Sequence, residues 1–437
     1  MTSAVVVGSG PNGLTAAAVL AREGLDVTVI EAEPTIGGAC RSDELRGTVV
    51  DRFSTGHPLA YASPALREVG LDVQWGTAPL DMAHPLFDGA GPGTLGTLAD
   101  VPDCGPDVMA AFFGPLPALP THPVAAMRWG PRFMAPASVT AAALGRVGGA
   151  VFAGVAAHGM VPQHLPMTSS LGYLLAGVRP WPVPIGGSQA IPDALARIVE
   201  GHGGTIRTGE RVTRLPDADL VMLDTGVPGA LDLLGERAPG WLRRRVRRWR
   251  FGPAAFKVDL VIDGGIPWLQ EELRSAAFVH LGGTAREIAH KEQMVNRGRM
   301  PERPVMILSQ QYLADPSRAA GSWVPVSMYV HCPNGFPGDL TESIVTEVER
   351  YAPGVRERIV EARSVGPAEL EASNANLVGG DIAAGAAIPA QLIRRPTLFD
   401  PYRLTDGVYL CSAAAAPGPG VHGMVGLHAA RAALRRL

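Results

Sequence analysis

The sequence predicts an α/β protein: a Rossmann-like dinucleotide-binding domain assembled from separated stretches of chain, beside a second domain of mixed sheet plus helices. Two observations lead to that class. A short buried strand near the N-terminus runs into glycines at G-x-G-x-x-G spacing, and the same strand-and-glycine character fades after residue 75, resumes near residue 181 and closes the chain. We therefore expect residues 1–75, 181–235 and 396–437 to form the dinucleotide-binding domain, and 76–180 with 236–395 to form a substrate domain. At 437 residues, 46% hydrophobic and 18% charged, the chain is long enough for two or three domains' worth of core.

The first element is the strand ending in Val5-Val6-Val7. Gly8, Gly10 and Gly13 follow, allowing a tight turn, close approach of backbone to a pyrophosphate, and close packing of the next helix on the strand. Pro11 suits the first turn of that helix, expected from Pro11 to Glu23, with Asn12 beside it. Its free N–H groups and positive dipole end face the phosphates. A second strand, Asp26 to Glu31, delivers a carboxylate 18 positions after Gly13, close to the spacing of about 20 at which an acid binds a ribose hydroxyl pair. An acid there argues against a 2′-phosphate.

Next comes Gly37-Gly38-Ala39-Cys40-Arg41, a glycine pair followed by a cation that can serve the pyrophosphate or the flavin end of a dinucleotide. Asp51 and His57 follow; His57 either faces the ligand or is a satisfied structural histidine. Residues 76–180 are rich in Gly, Ala, Pro, Met and Leu and are expected to be a helical insert, either a packed core or a greasy channel touching a membrane. Gly91-Pro92-Gly93 has neither a feeding strand nor a following acid, so it is not a second nucleotide loop.

Gly186-Gly187 and an amphipathic helix from Pro192 to His202 resume the nucleotide style, followed by strands around Ile206 and from Asp219 to Thr225. The arginines between Trp241 and Arg250 read as a solvated helix face rather than a lipid site. Strands at Phe251 to Ile262, Val305 to Gln310 and Pro325 to His331, with a helix from Leu340 to Tyr351, make the mixed sheet. At the end, the strand Gly407 to Cys411 enters a small-residue turn, Gly420-Val421-His422-Gly423-Met424, and a last helix to Leu437. Such a helix start can face the pyrimidine side of a flavin.

The net charge of −3 gives no electrostatic case for nucleic acid. Cys40, Cys104, Cys332 and Cys411 form no C-x-x-C pair, which supports neither a metal site nor a redox dithiol and fits a reducing compartment. With a strand expected from residue 4 there is no room for a leader, so a cytoplasmic location is expected, with peripheral membrane contact left open. No window spans a membrane; residues 147–175 come nearest but are broken by His158, Pro162, His164 and Pro166.

Three stretches carry a family resemblance: the N-terminal cradle with Glu31 and Gly37-Gly38; Gly186-Gly187 with Gly203-Gly204 and Val212; and Pro417 to Gly426. The chain resembles the FAD-dependent phytoene desaturase and carotenoid oxidoreductase family, within the amine oxidase superfamily. Arg303-Pro304-Val305, Asn376 to Ile382 and Gly420 to Met424 resemble the branch called pyridine nucleotide-disulphide oxidoreductase domain-containing protein 2. The resemblance implies a discontinuous FAD domain of the glutathione reductase type. It implies Glu31 on the adenosine ribose, Arg41 at the phosphates, Val212 on the adenine through its backbone, and Val421 to Met424 against the flavin. The cofactor-binding set is then Gly8, Gly10, Pro11, Asn12, Gly13, Glu31, Ala32, Gly38, Arg41, Val212, Gly420, Val421, His422, Gly423 and Met424. Two features differ from the family: no hairpin follows Val212, and the helical insert is compact, so a long carotenoid substrate is not carried over. Disulphide chemistry is not carried over either, for want of a dithiol.

The expected activity is FAD-dependent removal of a hydride and a proton from a hydrophobic or amine-bearing small molecule, the hydride passing to flavin N5. With no second Rossmann fingerprint, oxygen or a quinone is the expected electron acceptor. His422 and His57 are the candidate catalytic bases. Two other classes stand beside this one, a non-redox flavin-dependent isomerase and a non-catalytic FAD-binding interaction protein. A homodimer is among the assemblies the sequence leaves open.

Overall fold

The computed structural model describes residues 1–87, 91–99, 108–109, 112–114, 123–395 and 402–437. Cys104 and the start of the 396–437 stretch lie outside them.

Two sheets organise the molecule. The first has six strands in the order Arg403–Thr405, Val408–Leu410, Leu220–Leu223, Ser3–Val7, Asp26–Ile30 and Thr205–Arg207. All pairings are parallel except the outermost, between Arg403–Thr405 and Val408–Leu410. Parallel sheets are covered on both faces, which is why these strands read as nearly unbroken apolar runs. Val6, Val27, Val29, Leu220, Met222 and Leu410 join one core with the Pro11–Arg22 and Met424–Leu434 helices. This sheet draws on the beginning, middle and end of the sequence.

The second sheet has seven strands: Ile359–Val365, Ala254–Asp263, Trp323–Cys332, Met306–Ser309, Ala276–Leu281, Leu80–His84 and Gly93–Thr94. Neighbours are antiparallel except Ala276–Leu281 with Leu80–His84. The stretch 76–180, expected to be helical, thus also extends this sheet. Leu80–His84 is five residues long and its last three are buried without alternation, so the period-2 signal is missing. Among its described residues the helices Pro123–Met134, Ala137–Ala143, Gly145–Ala156 and Ser169–Gly177 follow, and Val151, Phe152, Ala153, Val155 and Leu175 pack in a core with Trp181 and Phe278. Val124, Met127, Met134 and Val139 lie on the outside of this helical layer. Among the described residues no helix is long and apolar enough to cross a membrane.

The two faces of the second sheet differ sharply. One is apolar: Val258, Leu260, Val279, Leu308, Val326 and Met328 pack against Ile344 and Val348 of the Thr341–Tyr351 helix. The other carries Lys257, Asp259, Ser309, Ser327, Tyr329, His280 and His84, as the registers Lys257 with Tyr329, Asp259 with Ser327, and Ser327 with Ser309 require. Phe278 lies on this polar face and abuts Gly56 so closely that a Cβ there would come within 2.5 Å of the ring. The polar face is therefore turned toward the first sheet's half of the molecule.

A buried ion-pair network ties the halves together. Arg318 donates to Asp51 at 2.6 Å, to Asp315 at 3.1 Å and to the Pro184 carbonyl at 2.8 Å. Asp51 also accepts from the Ser188 backbone and the Ser42 hydroxyl, and Asp315 from the Gly186 backbone. Opposite charge and backbone donors hold the Asp51 carboxyl below its ordinary range against the desolvation that would raise it. The six arginines of residues 243–250 are mostly exposed, on and just after the Gly240–Val246 helix, as the sequence suggests.

Candidate functional site

The cradle forms where the central strands of the first sheet end. Gly8 to Gly13 turn from Ser3–Val7 into the Pro11–Arg22 helix, with Pro11 at its start. A Cβ on Gly10 would stand 2.5 Å from the Asp224 carboxylate, and one on Gly13 2.9 Å from it, so both glycines are required by close approach. The second glycine loop reaches this turn: Gly37 N–H donates to the Ser9 carbonyl at 3.1 Å, and a Gly38 Cβ would lie 3.0 Å from the Gly10 Cα.

Glu31 follows the Asp26–Ile30 strand and is buried. One carboxylate oxygen accepts from the Ser9 backbone N–H at 2.9 Å and the Ser9 hydroxyl at 2.6 Å. The other accepts from the Glu33 N–H at 2.9 Å and, at 3.5 Å, from Arg41 Nη2. Ala32 beside it is half-buried. Arg41 is buried, and its Nη1 has no hydrogen-bond partner. Burial lowers its pKa, opposed by Glu31. The Asn12 side-chain oxygen at the helix start is likewise buried without a partner. Native proteins rarely leave such groups unsatisfied, since each costs about 1–3 kcal/mol, and a guanidinium N–H left without a partner beside the glycine loops suits an anionic ligand.

The closing turn meets the same cradle. Gly420 is exposed, Val421 half-buried, and His422, Gly423 and Met424 buried. A Gly423 Cβ would come within 2.5 Å of the Thr15 hydroxyl, so the N-terminal ends of the Pro11–Arg22 and Met424–Leu434 helices are neighbours. Val212 is half-buried in the loop after Thr205–Arg207, whose Gly209 and Glu210 N–H groups donate to the Glu33 and Glu31 carbonyls. The sequence-predicted cofactor residues thus gather around one locus.

The two candidate bases are placed differently. His422 Nδ1 accepts from the Met424 N–H at 3.1 Å, capping the last helix, and its carbonyl accepts from the Ser63 hydroxyl. His57 Nε2 lies 2.7 Å from the Ser188 hydroxyl; that hydroxyl donates to the Ser54 carbonyl, so His57 Nε2 carries the proton and donates. Its Nδ1 has no partner. Burial lowers both imidazoles to about 4, so both are neutral at pH 7.

Asp224 was not foreseen. It follows the Leu220–Leu223 strand and lies under the glycine turn, accepting the Gly13 N–H at 3.1 Å. Burial, with Glu31 adding to it, raises its pKa to about 7. The polar sheet face was also missed: Lys257 pairs with Asp259, which accepts from the Ser327 hydroxyl at 2.6 Å and from Arg363 at 3.1 Å.

Residues 6–69 match the family model of the NAD(P)-binding Rossmann-like domain. The chain superposes on an oxidoreductase from Methanosarcina mazei with a TM-score of 0.66 at 16% identity, covering 99% of this chain and 100% of that one. It also superposes on wild-type putrescine oxidase bound to putrescine, with a TM-score of 0.62 at 17% identity, covering 100% and 99%. The chain shares the fold of these two proteins. In sequence, the chain is 25% identical over 300 residues to pyridine nucleotide-disulfide oxidoreductase domain-containing protein 2 from Rattus norvegicus, covering 59% of this chain and 52% of that protein. The chain spans about half the length of the curated relatives it matches. In this fold, the glycine turn, the buried Arg41 and the two adjoining helix starts fit FAD.

Proposed function

We propose that this protein is an FAD-dependent oxidoreductase that oxidises a small hydrophobic or amine-bearing molecule. The observation that carries the reading is the convergence of Gly8–Gly13, Gly37–Arg41 and His422–Met424, from opposite ends of the chain, on two adjoining helix N-termini beside a buried arginine whose Nη1 has no hydrogen-bond partner. Bound FAD supplies the hydride acceptor for the reaction.

The protein's own groups bind and orient. Arg41 Nη1 and the backbone of Gly10 to Gly13 hold the pyrophosphate. Glu31 takes the ribose hydroxyls in place of its long contact to Arg41. Val212 borders the adenine, and the Val421–Met424 turn presents helix N–H groups to the flavin, with His422 fixing that turn. His57 is the candidate proton acceptor, because Nδ1 is free while Ser188 fixes the tautomer. The polar sheet face opposite supplies the wall of the substrate chamber. Oxygen or a quinone accepts the electrons, and the exposed Val124, Met127 and Met134 offer a peripheral membrane contact.

The test is reconstitution with FAD followed by anaerobic titration against amines and hydrophobic alcohols. Loss of oxidised flavin absorbance on substrate addition is the expected result. Absence of a flavin spectrum after reconstitution defeats the reading; FAD binding with turnover only after prior reduction transfers it to an isomerase.

A further inference from the structure

An acid stands at the point of the cradle that a dinucleotide's phosphates approach. The second glycine of a G-x-G-x-x-G turn has no Cβ, which lets pyrophosphate come close to the backbone. In this chain the space beside that glycine is bordered by Asp224. A Cβ on Gly10 would stand 2.5 Å from Asp224 Oδ2 and 3.9 Å from Oδ1. Oδ2 accepts the Gly13 N–H at 3.1 Å, which is one of the free donors at the start of the Pro11–Arg22 helix. This is the one hydrogen bond to the carboxyl among the described residues, and 9% of the Asp224 surface stays accessible.

The two protonation states of this group treat a phosphate oppositely. As a carboxylate, Asp224 sets a negative charge beside an anionic ligand and competes with it for the N–H groups of the helix start. As a neutral acid it still accepts the Gly13 N–H through Oδ2, and the proton on Oδ1 becomes a donor to a phosphate oxygen. Burial, with Glu31 adding to it, outweighs the Gly13 and Gly10 N–H groups and brings the pKa to about 7, so both states are populated near neutrality.

Few charged groups face this carboxyl. Glu31, after the Asp26–Ile30 strand, is paired with Arg41. Cys411, after the Val408–Leu410 strand, has a thiol that burial drives well above its ordinary range. The Gly8–Gly13 turn brings backbone, and Asn376 brings an amide that donates to the Asp224 carbonyl at 3.1 Å.

We infer that Asp224 is a phosphate-binding residue of the cradle that serves as the neutral acid, so that FAD binds together with a proton. The inference rests on the FAD reading and adds to it a dependence of cofactor retention on pH. The proton comes from solvent when the free protein is ionised at Asp224, settles on the carboxyl as FAD enters, and returns to solvent when FAD leaves. The sign follows: affinity is full below the pKa of the free protein and falls tenfold per pH unit well above it. With that pKa at about 7, affinity should drop about 30-fold between pH 6 and pH 8.5.

The test is calorimetric titration of flavin-free protein with FAD at pH 6, 7 and 8.5, in two buffers of different ionisation enthalpy, which reads affinity and proton uptake together. The 30-fold loss, with uptake approaching one proton per FAD at pH 8.5, is the expected result. Asp224→Asn, which keeps the shape and an N–H donor, should bind FAD alike at pH 6 and pH 8.5 and take up no proton. Equal affinity at both pH values without proton uptake by the wild-type protein overturns the inference, as does a slope that persists in Asp224→Asn. Proton uptake is measured on the wild-type protein, so the inference can fail even where the variant does not fold. FAD bound without a slope defeats this inference alone, whereas FAD bound at no pH by either protein defeats the oxidoreductase reading along with it.

Discussion

The Asp224 carboxyl accepts the Gly13 backbone N–H at 3.1 Å, directly beneath the Gly8–Gly13 turn. A strand more than two hundred residues downstream thereby braces the N-terminal glycine loop.

Burial of the Asp224 carboxyl makes stability depend on pH. The Asp224 pKa is raised in the folded protein from 3.8 to about 7, so the folded state holds the proton more tightly than the unfolded one. The resulting stabilisation is complete below pH 3.8 and is lost as pH rises through 7, amounting to about 4 kcal/mol at most. Asp224→Asn should remove that slope, gaining on the parent between pH 4.5 and pH 8 in urea unfolding. An identical difference at both pH values would show that Asp224 titrates normally.

Adding a methyl group to the cradle should be costly. Gly10→Ala drives a Cβ to 2.5 Å from the Asp224 carboxylate, which must shift and push the turn out of shape. We expect loss of FAD retention through gel filtration, with circular dichroism little changed. Gly201→Ala serves as the control, because its backbone, like that of Gly10, lies outside the positive-φ region and its added methyl meets nothing within 4 Å.

Arg41→Met keeps the buried stem and removes the charge. A charge-assisted hydrogen bond contributes about 1.5–3 kcal/mol, so FAD affinity should fall roughly 10- to 150-fold by fluorescence titration. Unchanged affinity would remove Arg41 from the phosphate site.

Arg318→Leu leaves Asp51 and Asp315 buried without their counter-charge. Removing one partner of a buried pair costs about 3–5 kcal/mol, and the double variant with Asp51→Asn should recover part of it. Both are read as shifts in urea midpoint.

The cradle was legible because its signals are local: three glycines, a capping proline and an acid lie within residues 8–31. Its closing turn was legible as a glycine-rich helix start. Asp224 was hidden because its partner Gly13 is remote in sequence, and an acid at a strand end looks like many others. The polar sheet face was hidden for the same reason, its members coming from strands spread between residues 80 and 332. Leu80–His84 escaped because a short strand buried at one end shows no alternation.

The strand order carries a consequence for birth on the ribosome. Ser3–Val7 is made first, yet its partner Leu220–Leu223 is made about two hundred residues later. At about 5–20 residues per second, that apolar edge waits roughly 10–40 s for its mate. During that interval the nascent chain exposes an open β edge of the kind that invites foreign pairing. A holding chaperone should therefore improve the yield of this protein more than it improves the refolding of the finished chain.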